Sequence, residues 1–327
     1  MSDLGASGLS RVVEVLVKES EFVLVPHVAP DGDCIGSAIA LYLALVRNGK
    51  RAQVASDEPV PRRYRFLPGA EVPGPFVRPP GRYVAVVLDC TDPFRCCAPP
   101  DVVAGAAQVV NIDHHVSNSG FGDVAYVDSS ASAVGEIVFT LLNALGWGIS
   151  AAEATCLYTA IATDTGSFRF ENTTSRSLST CATLVEAGAS PGRIAEEVYE
   201  TMSLPATILL GRALSSLRLG ADGQVAWMKL TRRDYLEAGA TDEDTEGIVN
   251  YARMIEGVRV GILLKEKKDG TVRVAFRSRE GVDVSRLAAV FSGGGHPRAA
   301  GCDFSGTIDE AEDRIVGETL RFLKSNS

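Results

Sequence analysis

Apolar runs of strand length alternate with segments of helical period along the first half of the chain. FVLVPHV (22–28), AQVAS (52–56), YVAVVLDC (83–90) and QVVNIDHHV (108–116) are short, continuous and rich in Val and Ile, as buried strands are. IGSAIALYLALVRNG (35–49), SAVGEIVFTLLNALG (132–146) and AAEATCLYTAIATDTG (151–166) read as helices, the first closed by Asn-Gly. This alternation predicts an α/β domain with a doubly wound, mainly parallel sheet. The Pro-rich VPRRYRFLPGAEVPGPFVRPPG (60–81) reads as a surface connection.

The pattern then changes. Helical segments dominate from about residue 174, and from 224 the strands QVAWMKL (224–230), RVGILLKE (259–266) and TVRVAFRS (271–278) alternate with EDTEGIVNYARM, VSRLAAVFSG and DEAEDRIVGETLRFLKS. A second, smaller α+β domain with a mixed sheet is expected over 206–327. It would follow a first domain over 1–187 and a helical connector over 188–205.

Composition fits this picture. A chain of 327 residues suits two domains, and 46% apolar with 22% charged residues is ordinary globular usage. No run of about 18 uncharged apolar residues occurs, so no membrane partner is expected. Charges interrupt the first twenty residues, and a cytoplasmic protein is expected. Seven cysteines, none in CxxC spacing, argue against a disulfide framework or a thiolate zinc site. The net charge of −9 argues against a general grip on long duplex nucleic acid. The apolar faces of 35–49 and 132–166 could serve either a core or a homodimer contact.

The chemistry shows in where the costly polar residues fall. His27 ends one strand, with Asp31 and Asp33 just beyond it. Asp89 ends another, and Asp113, His114 and His115 end a third. In open α/β sheets that edge binds ligands. Asp164 closes an apolar helix, in ATDTG. Three of the chain's four histidines lie in these clusters, and the fourth, His296, lies in SGGGHPRAAG. Gathering carboxylates at the mouth of an apolar sheet costs several kcal/mol or so for each unpaired ion. HVAPDGD, VVLDC, NIDHH and ATDTG contain no Lys or Arg. A divalent metal is the direct source of countercharge, and mixed carboxylate and imidazole donors suit a borderline ion such as Mn²⁺. The donors exceed what one ion needs, which points to two ions about 3.5–4 Å apart.

In this order the four motifs resemble those of the DHH phosphoesterases, and FRS…GGGHPRAAG resembles the DHH-associated domain. Length and domain order are most similar to small bacterial members. These are nano-RNases that also remove the 3′-phosphate of 3′-phosphoadenosine 5′-phosphate (pAp), and related cyclic-dinucleotide phosphodiesterases. The resemblance implies that His27, Asp31 and Asp89 hold one metal. Asp33, Asp89, His114 and Asp164 would hold the other. His115 would face the scissile phosphate, and Asp113 would orient an imidazole.

The expected reaction is phosphoester hydrolysis by an activated water, with Asp89 bridging the ions. Three glycines let backbone N–H groups approach an anion closely. Gly294, Gly295, His296, Arg277 and Arg298 are therefore expected to contact the phosphate or base of a short nucleotide. The expected partners are short RNA oligonucleotides and mononucleotide bisphosphates. The alternative is a cyclic-di-AMP or linear dinucleotide phosphodiesterase on the same site. A pyrophosphatase of family II type would carry a Ser-Arg-Lys-Lys-Gln-like run, which is absent here. A RecJ-type exonuclease would need further DNA-binding domains. A non-catalytic nucleotide sensor would have lost ligand positions.

Overall fold

The computed structural model describes residues 3–220 and 222–325. The chain divides into two compact units at Thr201/Met202.

The first unit runs α1 (Asp3–Lys18), β1 (Glu21–Val25), α2 (Gly32–Arg47), β2 (Arg51–Val54), β3 (Val84–Leu88), α3 (Pro100–Ala104), β4 (Gln108–Asp113) and β5 (Val124–Val127). Helices α4 (Val134–Ala144), α5 (Ala151–Asp164), α6 (Ser175–Glu186) and α7 (Pro191–Ala195) follow. Its five strands are all parallel, in the order β2-β1-β3-β4-β5. The expected doubly wound sheet is therefore present, and the strand order reverses between β1 and β3, where such sheets open a crevice.

Alternation along the strands divides two cores. Phe22, Leu24, Val84, Val86, Leu88, Val110 and Ile112 pack with the large helices. Val23, Val25, Ala85 and Val87 pack on the other face with Val102 of α3. The apolar faces of α2, α4 and α5 are spent on the first of these cores.

The strands end earlier than their apolar runs, for local reasons. Pro26 has no N–H to continue β1. Asp89 has φ +57°, which turns the chain out of β3. The amides of His114 and His115 donate to the Asp113 carboxylate instead of a neighbouring strand. The Pro-rich stretch 60–81 is not a plain surface connection, because Val60, Tyr64 and Leu67 are buried in the helical core. Sequence periodicity also missed α1, whose Val12, Val15 and Leu16 are buried, and the four-residue β5. The stretch 188–205 is helical over α7 and the π-turn Glu196–Glu200, within the first unit.

The second unit contains α8 (Leu204–Ser215), β6 (Arg218–Leu219), β7 (Val225–Leu230), α9 (Arg232–Ala238), α10 (Val249–Met254), β8 (Val260–Glu266) and β9 (Val272–Ser278). It ends with α11 (Val284–Ala289), β10 (Gly294–His296), β11 (Ala299–Phe304) and α12 (Ile308–Ser325). The sheet order is β10-β11-β9-β8-β7-β6, mixed as expected, with only β7 and β8 parallel among the described pairs. One face packs on α11 and α12, the other on α8, α9 and α10. The glycine run is not a simple loop. It forms the β10–β11 hairpin, with Pro297 and Arg298 as its two-residue turn.

One ion pair, buried on its Glu153 side and exposed on its Arg47 side, ties α2 to α5. The Arg47 guanidinium donates twice to the Glu153 carboxylate, at 2.9 Å from both Nε and Nη2, and Glu153 is fully buried. Arg47→Ala would leave that carboxylate without its counterion. The unfolding free energy should fall by about 3 kcal/mol in a urea titration, and no change would show that the pair contributes nothing.

Candidate metal centre

The crevice at the C-terminal ends of β1, β3 and β4 gathers all seven acids and histidines singled out around it, together with Asp164. Asp89 is the central one. Its side chain is buried, and Oδ1 has no hydrogen-bond partner among the described residues. His27 Nε2 lies 3.5 Å from Oδ2, while His114 Nε2 and His115 Nδ1 lie 3.7 and 3.4 Å from Oδ1. These gaps are too long for good hydrogen bonds. They are a little wider than the roughly 3 Å between neighbouring donors around an ion with bonds of about 2.1 Å.

Backbone carbonyls set the histidine tautomers. His27 Nδ1 donates to Val28 O at 2.8 Å, which turns Nε2 toward Asp89 and Asp31. His114 Nδ1 donates to Ala131 O at 3.2 Å, which turns Nε2 toward Asp89, Asp164 at 3.8 Å and Asp33 at 4.0 Å. Fixing one ring nitrogen in this way frees the other to ligate. Asp113 is fully buried and accepts from the amides of His114 and His115, from His115 Nδ1 at 2.7 Å, and from Asn118 Nδ2 at 2.5 Å. Burial works to raise its pKa, but the bonds from His115 and Asn118 pull it below the usual carboxylate range. Burial likewise works against charge on His115, and Asp113 and Asp89 outweigh it, so its pKa is raised.

The two aspartates after β1 cap different helices. Asp31, not Asp33, caps α2: its Oδ1 accepts from the amides of Asp33 and Cys34, both at 3.1 Å. Its side chain is 57% exposed, and Oδ1 lies 3.8 Å from His27 Nε2. Asp33 is buried in the first turn and caps α4 instead, accepting from Val134 N at 2.6 Å and Gly135 N at 2.9 Å. Gly32, between them, is needed for close approach to α5: a Cβ there would stand 2.5 Å from Thr163 Oγ1.

Among the described residues, donor atoms within ligating reach of one another form three sets. They are His27, Cys34 and Asp89; Asp33, His114 and Asp164; and Asp89, Asp113, His114 and His115. Asp31 falls outside these sets and Cys34 enters one. Burial pushes the Cys34 thiol up to about 12, so it stays protonated and faces Leu88 O.

In the second unit, Arg277 on β9 pairs with Ala299 and Gly261, and its Nη1 donates to Phe276 O. Burial and the nearby Arg253 hold its pKa down. Arg298 is exposed in the hairpin turn, and its carbonyl accepts from Ser278 N. A Cβ on Gly294 would meet open space. Gly295 has φ +142°, and a Cβ there would stand 2.5 Å from Ala299 O. The side chain of His296 lies outside what the structure describes.

A family model described as the DHH family, N-terminal domain, matches residues 21–161, and one described as the DHHA1 domain matches 222–325. The chain is 37% identical to the bifunctional oligoribonuclease and PAP phosphatase NrnA of Thermus thermophilus, over 93% of this chain and 91% of the relative. It is 30% identical to the protein of the same name from Bacillus subtilis, over 97% and 99%. A solved exopolyphosphatase-related protein from Bacteroides fragilis matches with a TM-score of 0.90 and 27% identity, over 99% of this chain and 98% of its own. This chain belongs to the DHH family.

The donor set of this DHH protein fits a divalent cation. A buried Asp89 carboxylate with one oxygen lacking a donor, the Nε2 atoms of His27 and His114 facing its two oxygens, and several nearby carboxylates require positive charge that no Lys or Arg of the four motifs supplies. In the absence of a cation, burial and the charges of Asp89, Asp164 and Asp31 push Asp33 well above the usual carboxylate range. Burial, with Asp89 and Asp31, pushes Asp164 up to about 7, although His114 opposes this.

A folded-state pKa above the ordinary 3.8 means that the fold disfavours the charge. That destabilisation is absent below about pH 4, grows as pH rises toward 7 and levels off above it. Asp164→Asn should therefore raise the melting temperature of chelator-treated protein at pH 8, and Mn²⁺ should raise it further by less than in the parent. A lower melting point without metal would refute carboxylate repulsion at this site.

Proposed function

We propose that this DHH protein is a metal-dependent phosphoesterase. It hydrolyses short oligoribonucleotides to 5′-mononucleotides and removes the 3′-phosphate of pAp. The observation that carries the reading is the orphaned Asp89 carboxylate oxygen among three imidazoles. The names of the Thermus and Bacillus relatives support the substrate class. His27, Asp31 and Asp89 would hold one divalent ion. Asp33, Asp89, His114 and Asp164 would hold a second, and Mn²⁺ suits this mixture of oxygen and nitrogen donors. When bound, such ions supply a water of lowered pKa and countercharge for phosphoryl oxygens.

The chain's own residues do the rest. Asp113 fixes the His115 ring and favours its charged form, so His115 can stabilise negative charge developing on a phosphoryl oxygen. Asp89 carries donors toward both ligand groups from one rigid strand end. In the second unit Arg277 and Arg298 would bind the nucleotide phosphate or base, with the Gly294–His296 strand admitting it closely. A single hairpin of this kind suits one or two nucleotides rather than a long strand. Among the described residues no helix is long and apolar enough to cross a membrane, and we place the enzyme in the cytoplasm, where its substrates arise.

Purified protein with Mn²⁺ should cleave a diribonucleotide and pAp in parallel assays. Preference for pyrophosphate would overturn the proposal, and faster cleavage of cyclic-di-AMP than of the linear dinucleotide would favour the cyclic-dinucleotide reading. Asp89→Ala should lower kcat by about a thousandfold or more. Arg277→Ala should act mainly on KM.

A further inference from the structure

One loop outside the four motifs touches Asp33 and His114 directly and reaches Asp164 through the side chain of Asn172. The Ala131 carbonyl accepts from His114 Nδ1. The amides of Val134 and Gly135 donate to Asp33. The Ser132 carbonyl accepts from Asn172 Nδ2 at 3.1 Å, and the same amide nitrogen reaches Asp164 Oδ2 and O, both at 3.2 Å. Residues 131–135 thus aim Asp33 and His114 through main-chain atoms and bear on Asp164 through Asn172. A shift of that backbone moves the three together.

That backbone is held in turn by a charged latch. Arg176 Nη1 donates to Asp128 Oδ2 at 2.7 Å, and Arg176 Nε lies 3.8 Å from Glu136 Oε2. Glu136 is fully buried and accepts from Ser132 N at 3.1 Å. Asp128 Oδ1 accepts from Ser130 N and Oγ, and the Asp128 carbonyl accepts from Ala131 N. Arg176 sits in the first turn of α6, where the helix dipole disfavours a cation. Its placement there is offset by two carboxylates on either side of the loop it grips.

We propose that Arg176 is a positioning residue for the Asp33, His114 and Asp164 group, acting through residues 128–135. The inference rests on reading that group as one of two divalent-metal sites. A purely structural latch would lower the melting temperature and leave metal binding alone. A positioning latch changes affinity at one site and spares the other, since His27 is oriented by Val28 O and not by this loop. Outer partners that orient ligands typically contribute about 10- to 100-fold in metal affinity.

The test is calorimetric titration of Mn²⁺ into chelator-treated, full-length protein. The parent should show two binding events per chain. Arg176→Ala should weaken one about 10- to 100-fold and leave the other unchanged. Arg176→Lys should fall between, because it keeps the charge but loses the planar fork. Asn172→Ala, which cuts only the bridge from Ser132 to Asp164, should weaken the same event and serves if Arg176→Ala does not fold. A parent that binds no second ion would overturn the metal reading itself. A two-site parent whose Arg176 and Asn172 variants keep both affinities would overturn this inference alone, as would equal loss at both sites in a folded variant.

Discussion

The structure is organised around a carboxylate oxygen that the described residues leave without a hydrogen bond. Asp89 is buried at the switch point of a parallel sheet, on a residue with positive φ, and its Oδ1 has no donor. Left so, the group costs several kcal/mol or so. The fold does not relieve the cost with a lysine or arginine. It brings imidazoles to 3.4–3.7 Å, outside hydrogen-bonding range but within the span of a shared ion. The backbone at Asp89 contributes to the placement, because the turn out of β3 carries the side chain across the strand ends instead of along them.

Around that constraint the supports form layers. Val28 O, Ala131 O and the Asp113 carboxylate each take an Nδ1 proton, so the three rings are oriented before any ion arrives. Asp113 is itself held by Asn118, which also reaches Cys90 O and Asn111 Oδ1. The two aspartates after β1 each end a different helix, Asp31 its own and Asp33 its neighbour α4. One element therefore serves as both cap and donor. Such double use is economical in residues and rigid in consequence, since a helix N-terminus favours an ionised carboxylate for the same electrostatic reason that a cation does.

This layering explains which parts could be read from the chain. His27, Asp89, Asp113, His114 and His115 were legible because acids and histidines are improbable at the ends of Val- and Ile-rich runs. The parallel sheet was legible because its buried strands are continuous apolar runs. Asn118, Asn172 and Arg176 were not, because a polar residue in a loop is the ordinary case and only its partners distinguish it. Asp31 and Asp33 both precede an apolar helical run, and the choice of cap depends on backbone angles that composition does not encode. The β10–β11 hairpin was hidden because Gly-Gly-His has no strand propensity, and its pairing is supplied by β11. α9 carried a legible signal, the Thr231–Asp234 capping box and Gly239 at φ +63°, but seven residues are too few for periodicity.

The net charge of −9 is not spread over the molecule. Lys and Arg number 14 against 23 Asp and Glu before residue 202, and 18 against 18 after it. The whole excess lies in the unit that holds the carboxylate cluster, and the second unit is neutral. An anionic substrate therefore meets its repulsion at the centre that two divalent ions would neutralise locally. In the second unit, β9 directs Arg273 and Arg277 to the face opposite Val272, Val274 and Phe276. Burial lowers the pKa of Lys265, which lies close enough to both arginines for their charges to lower it further. Arg273 is exposed and paired with Asp303, whereas Lys265 and Arg277 are half-buried, and half-buried cations gain more from an incoming phosphate than solvated surface charges do, because water screens them less. The net charge of −9 thus gives long polyanions no general grip, while Lys265 and Arg277 offer positive charge locally.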